Sequence, residues 1–262
     1  MASTQTVGRE FAGAPAGGAL FAAISWLPLT ASAASLLGSL AFILRLRKLP
    51  PVRRDDAPTT IWEDVREGVG WLLGHGLMLL LNLVMAACNL AFAAGDAVLV
   101  LLAGERLGLG AVGYGLLLAI SGVGTALGGV CTARLSGCLG RARALHASSA
   151  VCATGTLVLA ASTTPVVAAP ALATVGFAFT VTNAQISTLR QALTPTGLLG
   201  RVVSKGRLPT WGLVPLGAVL GGLLGRLDIR APFIGGAAVF CLVTLVATMA
   251  VTQRRLDEAT GL

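Results

Sequence analysis

The stretch that decides the fold runs from Leu77 to Leu102 and reads LMLLLNLVMAACNLAFAAGDAVLVLL. Its only charged residue is Asp96, and Asn82 and Asn89 are too few to give a helix a hydrated face. A helix needs about 20 mostly apolar residues to cross the hydrocarbon of a bilayer, and this stretch exceeds that length. We therefore predict that it is a membrane span.

The composition of the whole chain also indicates that lipid surrounds most of its surface. Only 11% of the residues are charged, 55% are hydrophobic and the mean hydropathy is +0.83, whereas soluble domains are about 25% charged. So few polar side chains cannot cover a soluble surface. The net charge of +8 comes from arginines grouped between uncharged blocks, with no basic face interleaved with aromatic residues. The pattern excludes a soluble domain and argues against a nucleic-acid partner.

Uncharged blocks of similar length recur along the chain. Together they predict an all-α integral membrane protein with about eight transmembrane helices. The block at 9–27 differs from the others because Arg9 and Glu10 lie at its start and Pro15 lies within it. The predicted spans are 9–27, 29–46, 77–102, 112–133, 144–163, 167–189, 210–226 and 231–252.

The basic residues are distributed unevenly between the two sides of these spans. If the N-terminus lies in the cytoplasm, 16 of the 19 Lys and Arg residues fall in cytoplasmic segments. The outer side keeps only Arg106, Arg226 and Arg230. Because translocation of short basic loops is disfavoured, we predict an even number of spans with both termini in the cytoplasm.

The long connection at 48–76 has a helical pattern of its own. Thr60, followed three residues later by Glu63, forms a capping box. Apolar residues then recur at helical spacing opposite acidic and basic ones, which predicts an amphipathic helix at the inner membrane surface. A solvated linker helix is the alternative interpretation. The apolar residues of this pattern are Trp62, Val65, Val69 and Leu72.

Four short motifs follow one another along the chain, and each lies at the end or the start of a predicted span. They are APAGG at 14–18, WEDVREGV at 62–69, LGRAR at 139–143, and LGRVVS at 199–204 followed by Arg207, Trp211, Pro215 and Gly217. In this order they resemble bacterial exporters of the major facilitator superfamily, in the branch that contains enterobactin and macrolide exporters. The residues that carry the resemblance are Pro15, Gly18, Arg141, Arg143, Gly200, Arg201, Pro215, Gly217 and Gly221.

The resemblance implies a bundle of twelve helices, of which this chain matches the fifth to the twelfth. Residues 1–47 would then hold the last two helices of an N-terminal bundle, 48–76 the cytoplasmic linker, and 77–262 a C-terminal six-helix bundle. By this match, the first four helices of the family would have no counterpart in residues 1–262. A truncated gene, a start assigned too late, or a partner that supplies the missing helices would each account for this. A loose echo between the Pro15 and Pro215 regions fits the internal repeats of secondary transporters.

Two polar stripes run along the helices that, by the resemblance, line the central path. Asn82, Asn89 and Asp96 are spaced by seven residues, which keeps them within about 20° of one another on one helix face. A carboxylate inside a span should face the bundle interior or water. Substrate contact or proton exchange is the functional interpretation, and a structural hydrogen bond or a hydrated Asp96 is the alternative. The second stripe consists of Thr180, Asn183 and Ser187, with Arg190 as a boundary anchor.

The resemblance and the stripes together favour a secondary transporter, with proton-coupled efflux of small amphipathic, drug-like or siderophore-like molecules as the expected activity. Its partners would be the lipid bilayer of a bacterial plasma membrane, the substrate, protons, and a second copy or another protein that supplies the missing helices. The alternative is a non-transporting remnant or a partner-dependent membrane subunit. No cofactor, metal or catalytic residue is expected, since the five cysteines lack CxxC spacing and His75 and His146 are isolated.

Overall fold

In the computed structural model, residues 27–45, 70, 74–193 and 199–250 are described, and every regular element among them is helical. The helix Gly76–Leu101 continues through one π-helical turn, Leu102–Arg106. The α-helices of these residues are α1 (Leu27–Arg45), α2 (Gly76–Leu101), α3 (Ala111–Leu139), α4 (Arg141–Ala161), α5 (Pro165–Leu193), α6 (Leu199–Leu227) and α7 (Ala231–Ala250).

The helix lengths confirm the predicted fold class, an all-α membrane bundle. Within the described residues, five helical segments are long and apolar enough to cross a membrane, while α1 and α6 contain shorter apolar stretches, Ala33–Phe42 and Trp211–Leu227. The predicted span at 9–27 and the amphipathic helix of the 48–76 connection lie almost wholly outside the described residues. The five long segments are Gly76–Arg106, Ala111–Leu139, Arg141–Ala161, Pro165–Gln191 and Ala231–Ala250.

Two helices extend well beyond the spans predicted for them. Helix α6 begins at Leu199 rather than near residue 210, and α3 ends at Leu139 rather than near residue 133. The predicted limits followed hydropathy, which drops where Arg201 and Arg134 appear. A helix needs only its backbone hydrogen bonds to continue, so it can extend beyond the apolar stretch that determines the span.

Glycines allow two pairs of helices to approach each other closely. A Cβ added to Gly128 of α3 would lie 2.5 Å from the carbonyl oxygen of Phe177 on α5. A Cβ added to Gly217 of α6 would lie 2.5 Å from the carbonyl oxygen of Leu90 on α2. Small residues at such crossings let helix backbones pack directly against each other in lipid. Each of these glycines belongs to a GxxxG pattern in the sequence, so the two patterns coincide with the α3–α5 and α2–α6 contacts.

A single glycine joins α3 to α4. Gly140 has φ +80°, a conformation that residues with a Cβ rarely adopt. Its N–H donates to Ser136 O at 3.0 Å, and its own carbonyl accepts from Ala144 N at 3.0 Å. The chain thus reverses direction within one residue, which places Arg141 and Arg143 at the end of the bundle.

The buried core has two clusters, one toward each end of the bundle. The cluster near Arg141 contains the first half of α2, the start of α4, and the last halves of α5 and α7, with Leu145, Ile186 and Phe240 fully buried. The other contains the end of α2, the end of α4, and the starts of α3, α5 and α7, including Leu107. We refer to these as the Arg141 end and the Leu107 end.

Candidate substrate and proton site

The polar stripe of α2 passes through three different environments. Asn82 is 4% exposed, and its Nδ2 donates to Met78 O at 2.8 Å in the preceding turn. Asn89 is half-buried and Asp96 is exposed. The three residues share a helix face, as the spacing predicts, but only Asp96 combines a charge with access from outside the bundle. The stripe therefore has a packed end at Asn82 and an end at Asp96 that is exposed at the surface of the bundle.

Asp96 lies at the mouth of a cavity between α2, α4, α5 and α7. The space measures about 380 Å³ with its open mouth included, and about 30 Å³ of it can be reached by water. That is enough room for a water molecule, although apart from Asp96 and Thr156 the wall is apolar. We call this space the aromatic chamber. It is lined by Ala91, Phe92, Gly95, Asp96, Leu99, Thr156, Leu159, Leu172, Val175, Phe233 and Phe240.

Aromatic rings form one side of the chamber. Phe92 of α2 stacks on Phe179 of α5 with ring centroids 4.2 Å apart, and Phe179 meets Phe240 of α7 edge-on at 6.4 Å. Phe233 lies against the α2 backbone, since a Cβ added to Gly95 would be 3.2 Å from its Cε1. The absence of a side chain at position 95 thus lets an aromatic ring sit one residue away from the carboxylate.

The carboxylates of the described residues differ sharply in their surroundings. Glu105 is exposed in the π-helical turn, and Asp228 is exposed between α6 and α7, where its Oδ1 accepts from Arg230 N at 2.8 Å. Asp96 alone lies five residues inside the end of an apolar helix. Tyr114 of α3 is within electrostatic range of it. A charge in this position would be costly unless it is hydrated, neutralised or protonated.

The stripe on α5 lies toward the Arg141 end. Thr180 donates its hydroxyl to Gly176 O at 2.8 Å, so it bonds within its own helix. Asn183 and Ser187 are half-buried. The Oδ1 atoms of Asn183 and Asn82 are both buried without a hydrogen-bond partner among the described residues. These stripe residues lie closer to the Arg141 end than the aromatic chamber does, so the structure does not gather all six predicted pathway residues around one cavity.

A network of hydrogen bonds near the Arg141 end was not foreseen from the sequence. Side chains join α3 to α5, α4 to α5, and α4 to α7 across the helix interfaces. We call these contacts the polar layer. They are Gln185 Nε2 to Ser136 Oγ at 2.6 Å, Ser148 Oγ with Thr182 Oγ1 at 2.8 Å, Thr244 Oγ1 to Ser149 Oγ at 3.0 Å, and His146 Nε2 with Ala247 O at 3.0 Å.

Comparison with known families now identifies the bundle. The family model described as Major Facilitator Superfamily matches residues 1–206, which is more than half of the chain. The chain belongs to the major facilitator superfamily. No curated protein matches it at a significant level. Membership indicates that this facilitator is a multi-pass membrane transport protein, in agreement with its long apolar helices.

The motif residues of the facilitator lie at helix ends and helix crossings. Arg141 is half-buried and Arg143 exposed just after the Gly140 turn. Gly217 and Gly221 face Leu90 and Ala94 of α2, and Pro215 is exposed two residues before Gly217. Gly200 and Arg201 belong to the first turn of α6, where side chains are not described, and Pro15 and Gly18 lie outside the described residues.

The described residues contain no group of three or more His, Cys, Asp or Glu side chains that could hold a metal ion. Cys88 and Cys152 are fully buried in the core near the Arg141 end, which suits small packing residues. Cys138 and Cys241 are exposed. The sequence-based expectation that no cofactor is needed stays a prediction.

Proposed function

We propose that this facilitator exports small amphipathic molecules in exchange for protons, and that Asp96 is the group that takes part in the exchange. The observation that carries the proposal is the position of Asp96, a carboxylate inside an apolar helix at the mouth of the aromatic chamber. A carboxylate in such surroundings can be charged or neutral depending on what lies beside it. That property is what coupling a substrate to a proton requires.

The lining of the aromatic chamber supports the proposal that the substrate is amphipathic. Apart from Thr156 on α4, its wall is apolar on the α4, α5 and α7 sides, and it carries its charge only at the mouth. Ligand sites of this kind bind an apolar body inside and fix its orientation with a few polar groups. The room that water can reach beside Asp96 also gives a proton a route to the carboxylate.

Because Asp96 is exposed, we expect a protein surface from outside the described bundle to cover this side of it. A charged face in the membrane requires a protein surface or water beside it. The predicted helices within residues 1–47, a second copy, or another membrane protein would complete this side of the path. A second candidate function follows from the same observation, namely a subunit that transports only together with such a partner. Chemical cross-linking in native membranes, followed by size analysis, distinguishes an isolated chain from an assembly.

The test of the proposed function is accumulation of dyes and drugs in a bacterium that lacks its own pumps and expresses the whole chain. We expect lower accumulation than in cells without the protein, and we expect a protonophore to abolish the difference because it dissipates the driving force. Western blotting of washed membranes checks insertion. If inserted protein left accumulation of every compound unchanged, the exporter assignment would be wrong for this chain by itself.

A further inference from the structure

Two buried thiols lie one helical turn away from the aromatic chamber. Cys88 of α2 and Cys152 of α4 are each 0% exposed, and both belong to the core cluster near Arg141. Neither is part of a disulfide. Packing alone does not require sulfur at these positions, because alanine, valine and leucine fill most of the same cluster. The pair is therefore a group of metal-ligating side chains that the proposed function does not use.

The contacts of Gly236 on α7 place the two thiols at a common level of the bundle. A Cβ added to Gly236 would lie 3.5 Å from Ala91 O on α2 and 3.7 Å from Thr156 Cγ2 on α4. Cys88 precedes Ala91 by three residues. Cys152 precedes Thr156 by four, and one turn of an α-helix is 3.6 residues.

Helices α2 and α4 run in the same direction, since both pass from the core cluster near Arg141 to the other cluster. One turn earlier on each helix is therefore the same level on both. Cys88 also lies within electrostatic range of Cys152, which agrees with this placement. The two thiols thus belong to one layer of the core, although they are separated by 64 positions in the chain.

The surroundings limit which metal ion such a pair can hold. Thiolates prefer soft cations. Structural zinc requires four ligands, whereas the described residues contain no group of three or more His, Cys, Asp or Glu side chains placed to hold a metal ion. Two thiolates suffice for an ion that forms two bonds in a line, which is the preference of mercury(II). They also cancel both charges of a divalent ion, so the complex leaves no net charge in the apolar core.

We propose that Cys88 and Cys152 bind a soft divalent metal ion in two-coordinate geometry, with mercury(II) as the type. Mercuric chloride is a neutral molecule that can enter an apolar interior, and the aromatic chamber ends one turn from the thiols, at Ala91 and Thr156. Each thiol loses its proton and each chloride leaves, so two metal–sulfur bonds form and two protons and two chloride ions are released. The bound ion joins α2 to α4. The inference goes beyond the proposed export function and does not depend on it.

The test uses a whole chain in which the pair is the only source of thiols. Its other three cysteines are replaced by alanine, as Cys131→Ala, Cys138→Ala and Cys241→Ala. The purified protein in lipid nanodiscs is incubated with mercuric chloride, and X-ray absorption spectroscopy of the bound mercury counts its sulfur ligands. We expect one mercury per chain with two sulfur ligands. Zinc chloride should not bind, because two ligands do not complete its coordination.

A matched chain also has two thiols, but at positions that do not meet. It keeps Cys88, which is buried, and Cys241, which is exposed, and it carries Cys131→Ala, Cys138→Ala and Cys152→Ala. Each mercury bound to this chain should have one sulfur ligand from the protein. Glutathione competes for the metal, and two groups that hold one ion raise its effective affinity. We therefore expect removal of half the mercury from the pair to need at least about a hundredfold more glutathione than removal from the matched chain.

Circular dichroism and a single size-exclusion peak check that both chains are folded. The unmodified chain gives a second measurement that does not depend on the substitutions. After excess glutathione has removed mercury from the other thiols, one mercury with two sulfur ligands should remain per chain.

One sulfur ligand in the chain that keeps only the pair would overturn the inference. Equal glutathione requirements for the two chains would do the same, and so would a folded protein that binds no mercury. These measurements need no proton gradient and are independent of transport. Export by a protein that binds no mercury would leave the proposed function standing and remove the metal site. Mercury held by both thiols, in a protein that exports nothing, would do the reverse.

Discussion

The two ends of the bundle are held together by different forces. Near Arg141, hydrogen bonds of the polar layer join α3, α4, α5 and α7 through side chains such as Gln185 and Thr182, which are each 1% exposed. Between this layer and Leu107, aromatic rings and Asp96 surround a partly open chamber, whose wall takes Phe240 from the core cluster near Arg141 and Phe233 from the other cluster. The same helices contribute to both ends, so the difference arises from side chains and not from the path of the backbone.

This contrast bears on which end can change shape. Hydrogen bonds are directional and fix the relative rotation of the helices that they join. Dispersion contacts between rings are numerous but weak one by one, and they tolerate sliding. We therefore infer that the polar layer keeps the helices together while rings of the aromatic chamber shift to admit a ligand.

The largest effect is expected from removing the charge at the chamber. Asp96→Asn keeps the size of the side chain but cannot exchange a proton, so protonophore-sensitive export should fall by at least about tenfold. Asp228→Asn, which removes an exposed carboxylate from the same end, should export normally. Dye efflux from energised vesicles measures both. Normal export by Asp96→Asn in a correctly inserted protein would remove Asp96 from the mechanism.

A smaller effect is expected where α6 crosses α2 beside the chamber. A Cβ on Gly221 would collide with the Ala94 carbonyl, next to Gly95 and Asp96, whereas a Cβ on Gly222 would meet nothing within 4 Å. Gly221→Ala should therefore destabilise the bundle by about 1–3 kcal/mol through overpacking, and Gly222→Ala should not. Unfolding of both variants in increasing dodecyl sulfate, followed by circular dichroism, gives the comparison. Equal midpoints would mean that α2 and α6 are not in close contact at this position.

A still smaller effect is expected from the polar layer. Hydrogen bonds between membrane helices contribute about 0.6 kcal/mol on average and about 1.7 kcal/mol at most. A double-mutant cycle of Ser148→Ala and Thr182→Val should give a coupling energy in this range. Thr188→Val is the control, because the Thr188 hydroxyl is exposed and bonds to Ala184 O within its own helix at 2.8 Å. Additive losses from Ser148 and Thr182 would show that their contact does not join α4 to α5.

The approximate positions of the described helices, and the place of Asp96 inside one of them, could be predicted from the sequence. Uncharged runs mark spans, and one acid inside such a run, as at Asp96, has few interpretations in a membrane. Because α2 is continuous from Gly76 to Leu101, the seven-residue spacing keeps Asn82 and Asn89 on one helix face. Where hydropathy failed, at the ends of α3 and α6, the helix continues past the apolar stretch because polar and basic residues can also form helical backbone hydrogen bonds.

The aromatic chamber and the polar layer could not be predicted from the sequence, because both depend on contacts between segments that are far apart in the chain. Phe92 and Phe240 are separated by more than half of the chain and carry no local pattern that links them. Ser148 and Ser149 resemble Thr156, which only bonds to Cys152 O in its own helix at 2.8 Å. In each case the residue type permits several partners, and only the packing of the helices selects one.

Labelling of one exposed thiol can assign the two ends of the bundle to the two sides of the membrane, and we expect no effect on function. Charge asymmetry predicts that the Arg141 end faces the cytoplasm. Cys138 is exposed in the final turn of α3 at this end, so a membrane-impermeant maleimide should label it in inside-out vesicles but not in intact cells. Cys138→Ser identifies the band that belongs to this thiol. Labelling of Cys138 from outside intact cells would invert the topology and place the Leu107 end in the cytoplasm.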